Sequence, residues 1–183
     1  SDETITVTAS RLDLLGRAVS AGQGSITQSE LRLRPAYRVG ELLESVPGLV
    51  VTVHSGEGKA NQFLMRGFNL DHGTDLATFV YDMPVHEVTH AHGQGYTDLN
   101  FLIPEMMGGI DYAKGPFNAA TGDFGVAGSD HIKLVRDLPT MISGSGDTLG
   151  NERLVAGGTA HCAHGDKLLG AFETDHADGP WRY

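Results

Sequence analysis

The run from Gln62 to Val85, QFLMRGFNLDHGTDLATFVYDMPV, constrains the fold more than any other stretch of the chain. In extended backbone, alternate side chains share a face, so Phe63 and Met65 point one way while Leu64 and Arg66 point the other. Ala77, Phe79 and Tyr81 repeat the pattern, and two short strands are predicted. Between them Asn69, Asp71, His72, Gly73 and Asp75 make a turn-rich polar segment, expected to leave the sheet edge and face solvent or ligand. The stretch that follows, HEVTHAHGQGY at 86–96, is the most chemically loaded part of the sequence.

The rest of the chain reads as a succession of short elements. DETITVTAS alternates Ile5 and Val7 against Thr4, Thr6 and Thr8, a strand pattern that suits either the first strand of the domain's own sheet or a free strand that pairs with a partner. A helix signal spans Ser25 to Leu33, with Thr27 three residues before Glu30 in capping-box spacing and Pro35 closing it. A stronger helix is predicted from Tyr37 to Val46, with Leu42, Leu43 and Val46 as its apolar stripe and Pro47-Gly48 as its stop. Leu49 to Val53 follows as a strand. Tyr96 to Met107 reads as one or two short helices broken at Pro104, and strands are expected at Gly109 to Lys114 and Asp130 to Arg136.

From Asp137 the texture changes. Three segments, Thr140 to Gly144, Leu149 to Ala163 and Lys167 to His176, are separated by the turn residues SGSGD and HGD. In the second, Leu154, Ala156, Gly158, Ala160 and Cys162 share one face while Arg153, Thr159 and His161 share the other. Alternation of this kind over about ten residues is the pattern of a transmembrane β-strand, and equally that of a soluble hairpin.

Composition narrows the function classes. The net charge of −10 argues against nucleic acid, because phosphate neutralisation needs clustered Lys and Arg. Cys162 is the one cysteine, which excludes an internal disulfide and a cysteine-rich zinc module. No apolar run reaches the roughly 18 residues of a membrane helix. Ser1 is followed by no signal-like apolar segment, so any signal peptide is expected to have been removed. No Ser–His–acid arrangement with a strained G-x-S-x-G turn is present, and the glycine-rich 122–128 lacks the Lys of a phosphate loop.

The order of motifs is specific. An N-terminal ETITVTAS, then ELLESVPGLVV, MRGF, FVYDMPV, GGIDYAKGP, a glycine-rich crossover and SDHIKLV together resemble the plug of TonB-dependent outer-membrane receptors, over nearly all of residues 3 to 136. The chain departs from the common plug pattern at Tyr81-Asp82-Met83 and at Met106 to Gly109. The resemblance implies an α+β fold: a small mixed β-sheet with short helices, followed by a few antiparallel strands of an incomplete transmembrane β-barrel of roughly 22 strands. It divides the chain into a TonB-box-like strand at 1–10, a plug at 11–137 and first barrel strands at 138–183. Glu3, Thr4, Ile5, Thr6, Val7, Thr8 and Ala9 would then be captured, by strand addition, by a TonB-type periplasmic energy transducer. The implied location is the bacterial outer membrane, with the plug facing the periplasm and the barrel lumen and the rest of the barrel in contact with lipid. No enzymatic activity is implied. Three strands cannot close a barrel, and an open edge in hydrocarbon leaves backbone groups unpaired at several kcal/mol each. The chain is therefore expected to be part of a longer protein.

The histidine stretch admits three readings. His86-Glu87-Val88-Thr89-His90 spells H-E-x-x-H, the signature of a soluble zinc hydrolase in which two histidines bind zinc and the glutamate activates water. That chemistry requires a helix, and Pro84, the β-branched Val88 and Thr89, and Gly93 and Gly95 oppose one. In extended backbone, His86, His90 and His92 instead lie on one side, and with Asp71 or His72 they would form a substrate site for a transported zinc, copper or nickel ion, with His86, His90 and His92 as the metal ligands. The resemblance puts these loops at the extracellular mouth. The third reading has the imidazoles hydrogen-bonding within a glycine-rich loop.

Overall fold

The computed structural model describes residues 17–35, 38–53 and 58–178. Glu3 to Ala9, the expected partner-binding strand, lies outside the described residues. Among the described residues, twelve strands form three sheets. The largest contains β1 (Arg17–Ser20), β2 (Gln23–Thr27), β6 (Leu76–Val80), β7 (Met83–Pro84), β8 (Met107–Lys114) and β9 (Gly128–Leu134), in the order β1-β2-β8-β9-β6-β7. It is mixed: β6 runs parallel to β9, and every other pair is antiparallel. A second sheet joins β3 (Leu49–Thr52), β4 (Gln62–Met65) and β5 (Phe68–Leu70). The third joins β10 (Met141–Gly146), β11 (Glu152–His161) and β12 (Lys167–His176).

The core lies between the first two sheets and two very short helices, α1 (Gln28–Leu31) and α2 (Val39–Leu42). Leu43, Leu70, Ile110 and Ile132 are fully buried in it, and Phe63 and Met65 face it from β4 while Leu64 is exposed, as the period-two pattern requires. β6 is buried on both faces, at Leu76, Ala77, Thr78 and Val80, as an interior strand between β9 and β7 should be.

Both predicted helices exist and both are shorter than expected. Thr27 caps α1, its Oγ1 accepting the Glu30 N–H at 3.3 Å, but Ser25 and Ile26 belong to β2, where they pair with Asp111 and Ile110 of β8. α2 tightens into a 3₁₀ turn at Leu43–Ser45 before Gly48 reverses the chain with a φ of +81°. Two further expectations are corrected. Arg66 does not continue β4; with Gly67 it forms the two-residue turn to β5, at φ of +54° and +81°, the primed geometry that matches strand twist. Tyr81 likewise leaves the strand, at φ +54°, to begin the turn into β7.

Tyr96 to Met107 is not helical apart from a 3₁₀ turn at Pro104–Met106. The backbone there is committed elsewhere. Thr97 N–H donates to the His72 carbonyl at 2.8 Å, and Glu87 N–H to the Tyr96 carbonyl at 2.8 Å. The Asp98 carboxylate accepts the Asn100 N–H at 2.8 Å, a local turn that competes with a helical bond.

The three predicted C-terminal segments are β10, β11 and β12, in continuous antiparallel register. Paired residues share a face, so Ile142, Ala156 and Phe172 line up across the sheet, as do Ala160 and Leu168. On this face Ile142 is 81% exposed, Leu168 70% and Phe172 64%, an apolar surface on one strand of six residues and two of ten. The opposite face meets the segment that precedes β8. Val155 is buried, and the Arg153 guanidinium forks onto both oxygens of Glu105 at 2.8 and 2.7 Å while also holding Glu173 at 3.0 Å. The Arg153 fork holds the Glu105 carboxyl below its usual range.

One buried acid stands inside the main sheet. Asp130 on β9 is 1% exposed; its Oδ1 accepts the Thr78 hydroxyl at 2.9 Å and its Oδ2 has no hydrogen-bond partner. Burial raises its pKa to about 7, against a small opposing effect from Thr78. Between about pH 4 and pH 7 the folded chain therefore holds a proton that the unfolded chain has released, so stability falls with rising pH across that window and is level above it. Asp130→Asn is expected to remove this slope, stabilising the chain at pH 8 by on the order of 2–4 kcal/mol and leaving it nearly unchanged at pH 4. Thermal unfolding of both proteins at the two pH values measures it, and a gap independent of pH would refute the assignment.

Candidate functional site

Two loops meet beside the second sheet. The first follows β5 and is a 3₁₀ turn, Asp71–Gly73, in which His72 adopts a left-handed φ of +51°. Non-glycine residues enter that region only when their surroundings hold them there. Here the holding groups are clear: the His72 carbonyl accepts the Thr97 N–H, and its ring Nδ1 lies 2.7 Å from the Ala60 carbonyl oxygen. Gly73, at φ +93°, has no room for a side chain, since a Cβ would stand 2.6 Å from that of Thr97. The polar loop expected to face solvent is thus divided: Asp71 is exposed, whereas His72 is buried at 1%.

The second loop, 86–96, is closed at its base by an antiparallel bridge between Glu87 and Tyr96. It is a bent loop, neither the helix that a hydrolase would need nor the extended strand that would range its histidines on one side. The H-E-x-x-H spelling therefore lacks the geometry that gives it meaning, and nothing supports the zinc hydrolase. Tyr96 is the pillar of this loop. Its hydroxyl accepts the Ala60 N–H at 3.1 Å, and its ring stacks on His90 at 4.1 Å between centroids.

The structure distributes the predicted site residues unequally. Asp71, His72 and His92 come together, one ligand-capable atom from each lying within 4.8 Å of the others, the one group of this kind among the described residues. His72 Nε2 is 3.5 Å from Asp71 Oδ1, and the rings of His72 and His92 meet edge-on at 4.5 Å. His90 does not join the group; its Nδ1 accepts the His92 backbone N–H at 3.2 Å and so steadies the neighbouring residue. His86 is turned away, packed against Phe79 and Phe124 at 5.7 and 5.5 Å. The His92 imidazole titrates below its ordinary range, first through lost solvation and then through Lys59 and His72, with Asp71 acting in the opposite direction. Ala60, Tyr96 and Lys59 escaped the sequence reading, since nothing in a linear pattern brings 59–60 to 72 and 96. The left-handed Gly95, φ +77°, beside an aromatic was the one local hint.

Residues 16–129 match the family model described as the TonB-dependent receptor plug domain, and the chain belongs to that family. Solved structures agree on the fold. The ferric enterobactin receptor PfeA, from Pseudomonas aeruginosa, superposes with a TM-score of 0.63 at 16% identity, over 87% of this chain and 25% of that one. The siderophore receptor PirA from Acinetobacter baumannii gives 0.58 at 18% identity, over 84% of this chain and 24% of that one. The copper transporter OprC gives 0.54 at 15% identity, over 79% and 22%. The chain thus spans about a quarter of the length of these structures. Its two mixed and antiparallel plug sheets, with β10–β12 as part of a barrel that does not close within the described residues, are the α+β arrangement expected from the sequence.

The role of Tyr96 as the pillar of both loops is open to a direct measurement. Tyr96→Phe keeps the ring but leaves the buried Ala60 N–H without an acceptor, and is expected to destabilise the chain by about 1–3 kcal/mol. Denaturant unfolding gives the size, and faster hydrogen exchange at the Ala60 amide gives the place.

Proposed function

We propose that this chain is the plug and first three barrel strands of an energy-coupled receptor of the bacterial outer membrane, which imports a scarce nutrient of the metal-ion or metal-chelate class. In this reading 1–10 is the strand offered to the transducer, 11–137 the plug and 138–183 the start of the barrel wall. The observation that carries it is the two-sided sheet β10–β12. One face presents Ile142, Leu154, Leu168 and Phe172 outward, where a lipid core would cover them, and the other holds the plug through Arg153 and Glu105. β11 and β12, of ten residues each, have the length to cross a bilayer at the usual tilt. Family membership supports the plug assignment. The cargo class is supported by the convergence of Asp71, His72 and His92, and by relatives of this fold whose names record ferric siderophores and copper.

Energy coupling would run through Glu3, Thr4, Ile5, Thr6, Val7, Thr8 and Ala9, captured by a TonB-type periplasmic protein through strand addition. Such pairing depends on backbone N–H groups, and proline has none. Ile5→Pro in the full-length receptor is therefore expected to abolish uptake under metal limitation while leaving cargo binding at the cell surface intact. Uptake that survives both Ile5→Pro and deletion of residues 3–9 would overturn the reading.

A further inference from the structure

We infer that Asp71, His72 and His92 form a three-ligand site that takes a bare, borderline divalent transition-metal ion directly, rather than a preformed chelate. The inference deepens the import reading and rests on it only for the claim that the ion is cargo.

The geometry of His72 carries the argument. Its Nδ1 lies 2.7 Å from a backbone carbonyl oxygen, so Nδ1 bears the proton and donates it. In the neutral ring Nε2 then carries the lone pair, and Nε2 is the atom directed at Asp71 Oδ1, 3.5 Å away. A carboxylate oxygen and an imidazole lone pair that face each other call for positive charge between them. A backbone carbonyl behind the far nitrogen is also the arrangement by which metal-binding histidines are fixed in tautomer and orientation. The buried His72 thus supplies one rigid donor, held by Ala60 on its ring and by Thr97 on its backbone.

The remaining two donors are adjustable. Asp71 and His92 are exposed, and the three ligand atoms lie within 4.8 Å of one another. In a tetrahedral site with ligand distances near 2.0–2.1 Å, donors stand roughly 3.3 Å apart. Small side-chain rotations of two exposed residues toward one fixed imidazole close that difference. His92 is itself steadied from behind, its backbone N–H donated to His90, whose ring is stacked on Tyr96.

The donor set selects the ion. Two imidazoles and one carboxylate suit Zn²⁺, Cu²⁺ or Ni²⁺; Mg²⁺ and Ca²⁺ prefer oxygen throughout, and Cu⁺ prefers the thiolates and thioethers that are absent from this cluster. Three protein ligands leave a coordination position open, as in sites that exchange what they hold rather than lock it in. A chelate that already surrounds its metal offers no position for these three side chains. Binding would also tie the loop 86–96 to the turn at Asp71–Gly73, two segments that the described contacts join through Thr97 and the His72–His92 ring contact.

The test is calorimetric titration of the full-length receptor in detergent, in chelator-free buffer, with the chloride salts of Zn²⁺, Cu²⁺ and Ni²⁺. Removing a group that merely orients a metal ligand already weakens affinity about 10–100-fold, so Asp71→Asn and His92→Ala are each expected to weaken binding at least about tenfold. His164→Ala, an exposed histidine between β11 and β12, is expected to change nothing. The wild-type protein with Zn²⁺ should also slow hydrogen exchange at the amides of residues 90–94, and the His92→Ala protein should not. Equal affinity in all four proteins, no binding of any free ion, or binding of a ferric catecholate chelate alone would each overturn the site. If the ion binds as described but uptake withstands Ile5→Pro and the deletion of 3–9, the site stands and the import reading falls. If uptake behaves as expected while the ligand variants bind normally, the reverse holds.

Discussion

Strand β9 is hydrogen-bonded on both edges, parallel to β6 and antiparallel to β8, and the plug is assembled around that double pairing. Its Ile132 is fully buried opposite Ile110 of β8, and Tyr81, just past β6, donates its N–H to the Ile132 carbonyl at 2.9 Å. A parallel neighbour requires a long connection, and here the connection runs through β7, the histidine loop, the 3₁₀ turn at Pro104–Met106, β8 and the glycine-rich segment 115–127. The loop that carries His92 is thus one part of the crossover that topology demands. Its chemistry sits on a segment whose two ends are fixed by the sheet.

What could be read from the sequence was what depends on near neighbours. Thr27 and Glu30 announced a cap, and the cap is made. Leu42, Leu43 and Val46 announced a buried stripe, and the stripe is buried. The alternation in 152–161 announced a two-faced strand because a pleat has a period of two whatever surrounds it. Even the turn at Arg66-Gly67 has its signal in Gly67, although the apolar alternation before it points to a longer strand.

What escaped was decided by partners far along the chain. Tyr96 to Met107 has residues that tolerate a helix, yet its backbone groups are taken by His72 and Glu87, and a side-chain pattern cannot reveal that competition. The same holds for the histidines. Spacing of two and four residues grouped His86, His90 and His92, but the loop bends, and the partners of His92 turn out to be Asp71 and His72, twenty residues back. Polar sequence neighbours predict a surface position for His72, yet it is buried and hydrogen-bonded to Ala60 and Thr97.

The position of β1 governs how the plug responds to force. β1 is an edge strand of four residues, paired only with β2, in a register interrupted between Ala18 and Ser20. In an antiparallel hairpin the free end of one strand and the sheet-bound continuation of the other lie side by side, so a pull on the chain ahead of Arg17 opens the ladder like a zipper, one rung at a time. β9, gripped on both sides, would have to slide past two neighbours with many rungs strained at once. Tension applied at the N-terminal side therefore meets the sheet at its weakest margin, and the short β1–β2 ladder opens before the ladder between β2 and β8 is loaded.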